Sequence, residues 1–318
     1  MFSGNIIRFI HVGYTVFNAS NKTLLSKLRK QTGYTFANCK KALELNDYNY
    51  SLAEKWLQDQ AQQLGWSKAT KLEGRITAQG LVAVGMEKNN AVIVEVNCET
   101  DFVARNKNFS SLVELAATTC LNHTASVPVG SHLSRFQLDA EILKSLKVHD
   151  GKTLSDHLAL VIGKVGENLS LRRATCFHAA DGILLAGYAH PSPNFQSSVL
   201  LGKFGAVVAY QADSPSQSDT KLRENLSVDE IGRQLCQHVV GMNPVKIGEV
   251  GQDTPANNPD DESCMIYQEY LLDPSQTVGE MLASTSISVL DFARYECGEE
   301  LLENTENNSS KVAVEIGG

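Results

Sequence analysis

Three stretches of the chain hold residue types that could handle phosphate, metal or a nucleophile. Gly151-Lys152-Thr153 resembles the end of a phosphate loop, whose backbone amides cradle the phosphates. Such a loop needs a glycine five residues before Gly151, and that position is Leu146. Gly163-Lys164-Val165 fails as well, because no hydroxyl follows its lysine. The seven cysteines, Cys39, Cys98, Cys120, Cys176, Cys236, Cys264 and Cys297, include no Cys-x-x-Cys pair. Neither a zinc site nor a disulfide framework is expected, and the thiols read as small buried apolar groups. His238 has no nucleophile or acid to pair with and reads as a packed helix residue. What remains is a corner, Asn97-Cys98-Glu99-Thr100-Asp101-Phe102-Val103, where a carboxylate and an aromatic ring stand side by side.

The flanking elements place that corner at a surface. Val92, Val94 and Val96 alternate with Ile93, Glu95 and Asn97, the period of a strand. Phe109, Leu112, Val113, Ala116, Ala117, Cys120 and Leu121 then recur at helical steps. Thr100 or Asp101 is suited to cap a short helical turn, since its side-chain oxygen accepts from free amides. Phe102 is either a core residue or a protruding wedge, and periodicity does not separate the two.

The 318 residues suffice for two or three compact units. With 42% hydrophobic and 20% charged residues the composition is that of a globular protein. A formal net charge of −8 disfavours a general nucleic-acid binder. The first acidic residue is Glu44, and residues 1–20, with Arg8, have the acid-free pattern of a mitochondrial transit peptide. Residues 21–65 read as three short helices: Leu24, Leu25 and Leu28 stripe the first, Phe36, Cys39 and Leu43 the second. Ser51 and Glu54 have the spacing of a capping box opening the third, and Gly65 is placed to end it. Residues 66–78 are a charged linker or an exposed helical extension. Residues 79–182 and 183–302 form two successive blocks of hairpin and helix, and 303–318 an acidic tail. Within them, residues 124–150 lack clean periodicity, Ser227 and Glu230 open a helix, 241–264 is a loop, and Met265–Leu272 reads as a strand. Arg172 and Arg173 read as paired or solvated charges.

Four motifs occur in one order: Leu28-Arg29-Lys30-Gln31-Thr32-Gly33 with Cys39-Lys40-Lys41-Ala42-Leu43; the corner itself; Ile162-Gly163-Lys164-Val165-Gly166-Glu167-Asn168 with Leu171-Arg172-Arg173; and Asp273-Pro274-Ser275 with Thr277-Val278-Gly279 and Phe292-Ala293-Arg294-Tyr295-Glu296. Together they resemble the elongation factor Ts family, in its mitochondrial branch. The resemblance implies an α+β fold. A three-helix, ubiquitin-associated-like domain would precede a core of two antiparallel-sheet-plus-helix subdomains. It implies a guanine nucleotide exchange factor, not an enzyme, acting on mitochondrial elongation factor Tu in translation elongation. Thr100, Asp101, Phe102 and Val103 would form the exchange wedge, with Tyr188 and His190 meeting the partner from the second subdomain. Arg29, Phe36 and Ala37 would touch the GTPase domain from the helical domain. Pro191 follows His190 where family members often have glycine. No cofactor, metal, membrane or stable nucleic-acid partner is implied. Residues 241–264 are too short for the coiled coil by which bacterial relatives dimerise, so a one-to-one heterodimer in the matrix is expected. The alternatives are a ribosome- or RNA-associated module, a metabolic enzyme and a ubiquitin-binding adaptor.

Overall fold

The computed structural model describes residues 14–32, 34, 36–127, 132–191, 198–212 and 227–300, with side chains from residue 21 onward. The transit-peptide and tail expectations fall largely outside these residues. Three helices come first, α1 (Tyr14–Thr32), α2 (Phe36–Leu45) and α3 (Tyr50–Leu72). Leu25, Leu28, Cys39, Ala42, Leu43, Ala53 and Leu57 bury their stripes against one another. Asn49, rather than Ser51, caps α3, its side chain accepting from the Leu52 amide. Nor does Gly65 end α3. It lies where α3 crosses a helix of the core, and a Cβ there would sit 2.4 Å from the Ala159 carbonyl oxygen. The glycine is selected by this close approach and not by a turn.

The core begins with β1 (Gln79–Glu87) and β2 (Asn90–Cys98), followed by α4 (Asp101–Ala104), α5 (Lys107–Ser126), β3 (Leu133–Leu138), α6 (Ala140–Ser145), α7 (Leu154–Val165) and β4 (Leu169–Ala179). Then come β5 (Leu184–His190), β6 (Val199–Gly202), β7 (Phe204–Ala212), α8 (Val228–Met242), β8 (Glu269–Tyr270), β9 (Asp273–Thr277), α9 (Val278–Thr285) and β10 (Ile287–Glu296). The fold is α+β, and the strand pairings are antiparallel.

One sheet has the order β3-β4-β2-β1-β6 and a second β10-β7-β5. Strand period sorts the residues into layers. Val92, Val94 and Val96 pack under Phe109, Leu112, Val113 and Ala116 of α5 and Leu158 and Ile162 of α7. Val82, Val84 and Ile93 face the other way, onto Val207, Ala293 and Tyr295 of the second sheet. Ala206, Val208 and Tyr210 then meet Ile231, Leu235 and Val239 of α8 and Met281 of α9. β2 is thus covered on both faces. β6 pairs with β1 and so carries the chain after residue 183 back into the first sheet.

Further along, one stretch without clean periodicity gains its elements and one strand reading is corrected. Residues 124–150 hold the end of α5, the edge strand β3 and α6. Met265–Leu272 is a 3-10 turn, Met265–Tyr267, and only a two-residue strand. Its apolar content fills the second core through Met265 and Tyr270 rather than a sheet ladder.

A buried charge cluster joins the two sheets to the end of β10. Glu95 has no exposed surface. It accepts from Arg172 Nη1 and Arg173 Nε at 2.7 Å each, from the Gly298 amide at 2.7 Å and from Asn97 Nδ2 at 3.1 Å. Burial pushes its carboxyl upward, but the Gly298 amide and the two guanidiniums hold it below the usual carboxylate value. Arg173 also reaches Glu299 at 2.5 Å and stacks on the Tyr295 ring at 3.9 Å. Both arginines are paired, one of the two states their sequence reading left open.

Candidate partner-binding corner

The corner is a four-residue helix between two caps. Thr100 is the cap of α4 and its hydroxyl accepts from the Val103 amide at 3.4 Å. Asn106 restarts the chain as α5, its side chain accepting from the Asn108 amide at 2.8 Å. Successive helical residues point about 100° apart, following from 3.6 residues per turn. Val103 and Ala104 face the first core, Val103 only 8% exposed. Phe102 is thereby turned outward and is 81% exposed, so it is not a core residue. Asp101 lies half-exposed beside it, 3.2 Å from Arg105. Of the four expected wedge residues, Asp101 and Phe102 are presented. Thr100 holds the turn, and Val103 anchors it from inside.

The third motif holds this corner from behind. Glu167 accepts from the Thr100 amide at 3.1 Å and the Thr100 hydroxyl at 2.7 Å. Glu99 accepts from the Asn168 amide at 2.6 Å and stands 3.5 Å from Arg75. The Cys98 thiol donates to the Thr100 carbonyl at 3.1 Å; burial and the Glu167 charge push its pKa up to about 12, so it remains protonated. Sequence reasoning quoted Glu167 and Asn168 within a motif but gave them no role.

The second expected patch lies at the same end of the stacked sheets. Tyr188 Oη and His190 Nδ1 are 3.1 Å apart, with Tyr188 half-buried and His190 exposed at the end of β5. The His190–Pro191 peptide is cis. Gly202 backs His190: a Cβ there would sit 2.7 Å from the His190 amide nitrogen and carbonyl oxygen. Lys203 ties this end to the corner. Its amide donates to the His190 carbonyl at 2.8 Å and its Nζ to the Gly80 carbonyl at 2.9 Å. Gly80 neighbours Gln79, the partner of Cys98 in the β1–β2 ladder.

Arg29, in the last turn of α1, and Phe36 and Ala37, opening α2, are all exposed, Phe36 at 57%. Beside them lies a cleft of about 630 Å³. Its lining runs from Thr32, Tyr34 and Asn38 past Leu64 and Lys68 to Gly163 and Asn108, at the start of α5. The helical module is fixed over the core by Gln62 Nε2 donating to the Asp156 carbonyl (2.9 Å) and Lys68 Nζ to the Gly163 carbonyl (2.8 Å).

The shifted side chains serve structure. Burial pushes Tyr210 and Tyr295 up to about 12 and lowers His238 to about 4. His238 is buried as expected; its Nδ1 accepts from the Leu271 amide, which leaves Nε2 to donate to Gln268 Oε1 at 3.0 Å. Each of these shifts leads away from neutral pH, the opposite of a group poised for proton transfer there. Among the described residues no cluster of His, Cys, Asp or Glu is placed to hold a metal ion, and no helix is long and apolar enough to cross a membrane.

Such a scaffold, with a polar-aromatic corner at its surface, belongs to the translation elongation factors, as comparison with known proteins shows. The family description "Elongation factor Ts, mitochondrial, N-terminal" matches residues 7–67, and "Elongation factor TS" matches residues 99–256. Elongation factor Ts, mitochondrial, of Aedes aegypti is 48% identical over 91% of this chain and 92% of its own length. The protein of the same name from Drosophila melanogaster is 47% identical, over 92% and 90%, and that from Xenopus laevis 44%, over 95% and 94%. The chain belongs to the elongation factor Ts family.

Proposed function

We propose that this chain is a guanine nucleotide exchange factor for mitochondrial elongation factor Tu, acting in the matrix as a one-to-one complex. The observation that carries this reading is the Phe102 ring, left in water on a turn whose next two residues are buried. Burying that ring in an apolar cleft of the GTPase contributes about 1.5–3 kcal/mol. Asp101, beside it, brings a negative charge to the segment that holds the magnesium ion and its waters. Displacing that ion removes charge neutralisation from the diphosphate, and GDP leaves faster. Tyr188 and His190 support the wedge from the second subdomain, and Arg29, Phe36 and Ala37 clamp the GTPase from the helical module.

Linkage sets the scale. A factor that weakens GDP binding is itself bound more weakly by the GDP form, in the same ratio. A ratio of 10⁴ requires roughly 5.5 kcal/mol of differential binding, more than one ring supplies. All three patches must therefore share the work. The test is release of labelled GDP from mitochondrial elongation factor Tu with wild-type factor and with Phe102→Ala. The substitution slows stimulated release roughly five- to tenfold, as expected for an aromatic hot spot, with the melting curve unchanged. Release at the wild-type rate by a folded variant rejects the wedge.

A further inference from the structure

An exposed ring transmits force only if the turn beneath it cannot yield. α4 has four residues, too few for a helix to be stable by itself. Its own hydrogen bonds are few, and the Thr100 cap bond is long at 3.4 Å. Something outside the turn must fix it. Among the described residues, the carboxylate that meets Thr100 is that of Glu167, just beyond the end of α7 and 67 positions away in sequence. Its two oxygens take separate donors on one residue, the Thr100 amide at 3.1 Å and the Thr100 hydroxyl at 2.7 Å. The hydroxyl thereby donates to Glu167 while its lone pair still receives the Val103 amide.

The adjacent pair runs the other way. The Asn168 amide donates to Glu99 Oε1 at 2.6 Å, so residues 99–100 and 167–168 exchange bonds in both directions. Asn168 Nδ2 also donates to the Arg75 carbonyl at 2.9 Å, and Arg75 faces Glu99 at 3.5 Å. Gly166, at φ 79°, is the left-handed residue that ends α7 and lets Glu167 turn back toward the corner.

We propose that Glu167 is a positioning residue for nucleotide exchange, a carboxylate latch that holds the Thr100 cap so that Phe102 is presented rigidly. It does not touch the partner. This rests on the wedge reading above and extends it to the device behind the wedge. A charge-assisted bond is stronger than a neutral one but small beside a whole sheet, so its loss loosens the turn without unfolding the sheet it rests on.

The test uses the full-length chain with Glu167→Ala, Glu167→Gln, Phe102→Ala and the double variant Glu167→Ala/Phe102→Ala. The first measurement needs no GTPase. In Glu167→Ala, amide hydrogen exchange at Val103, Ala104 and Arg105 speeds up about tenfold or more while β2 and α5 keep their protection. Glu167→Gln falls between the two, because its carbonyl still accepts the Thr100 amide while its uncharged amide group can only donate to the hydroxyl, whose own proton loses this acceptor. Unchanged protection at the corner in Glu167→Ala overturns the latch whatever exchange assays show. The second measurement is stimulated GDP release. Glu167→Ala lowers the rate at saturating factor about fivefold, with the half-saturating concentration changed less than twofold, and Glu167→Gln restores it in part. In the Phe102→Ala background Glu167→Ala adds less than about twofold, since the latch acts through the ring. A full additional loss in that background overturns the positioning role. Wild-type release by Phe102→Ala rejects the wedge itself, a result separable from failure of the latch because corner protection is read independently.

Discussion

The interior of β2 and the corner just past its end treat a carboxylate in opposite ways. Glu95 is withdrawn from water and saturated by two guanidiniums, a backbone amide and a side-chain amide. Asp101 remains half in water with one exposed arginine beside it, and the next residue holds an aromatic ring outside the core. The first arrangement joins both sheets and the end of β10 into one platform. The second gains little stability, because an exposed ion pair is worth at most about 1 kcal/mol and an exposed ring nothing by burial. The interior stabilises, the corner is the part we propose to recognise the partner, and the proposed Glu167 latch lies on the boundary between them.

That division is broken most directly at Glu95. Glu95→Ala leaves Arg172, Arg173 and the Gly298 amide without their shared acceptor, and chemical unfolding should show a loss of about 3–5 kcal/mol. GDP release per folded molecule should change less than twofold. A variant of normal stability with slow release would mean that the cluster serves exchange directly.

Acid sharpens the same contrast through His238. Its folded pKa is lowered from 6.5 to about 4, so the unfolded chain binds the extra proton across that window. Stability is therefore full above pH 6.5 and is withdrawn as the pH falls toward about 4, by about 3 kcal/mol at 1.36 per pH unit. Glu95, whose folded pKa is depressed, adds a further loss only as pH falls below its ordinary 4.5. His238→Gln should flatten the first slope and leave the second, as read by thermal melts across pH. An unchanged slope between pH 6.5 and 4 would contradict a neutral buried imidazole.

Much of this was legible in the chain. The alternation of Val92, Val94 and Val96 with Ile93, Glu95 and Asn97 predicts a strand, though not that both its faces are covered, and Thr100 is a recognisable cap, because both signals are local. Gly65 misleads for the same reason. By local rules a glycine stops a helix, but here the deciding neighbour is Ala159 on α7, far along the chain. β3 is a short edge strand with one partner, and its burial pattern is too weak to register as a period. The family resemblance groups Val103 with the wedge, yet a helical turn sends neighbours in different directions and Val103 is buried. Glu167 carries no local signal at all, since its function depends on a residue 67 positions upstream.

Gly65 offers the next smaller effect. Gly65→Ala forces a methyl against the Ala159 carbonyl, where backbone cannot yield as a side chain would. The expected cost is about 1–3 kcal/mol by overpacking. It should appear as faster proteolysis between the helical module and the core, with wedge protection intact. A normal variant would show that the α3–α7 contact adapts and does not fix the module.

Phe36 gives the smallest change and the finest distinction. It is exposed like Phe102, but the buried set of its module, Leu28, Cys39, Ala42, Leu43, Ala53 and Leu57, closes without it. Phe36→Ala should alter stability by no more than about 0.5 kcal/mol. If the helical module only clamps the GTPase, the loss is uniform binding. The half-saturating concentration of factor then rises about two- to threefold while the maximal release rate holds. Phe102→Ala, by contrast, should lower the maximal rate itself if its ring acts on the nucleotide-releasing state, as the proposed wedge requires. Two exposed phenylalanines would thus separate affinity from exchange. A fall in maximal rate with Phe36→Ala would place the helical module in the release step and dissolve that separation.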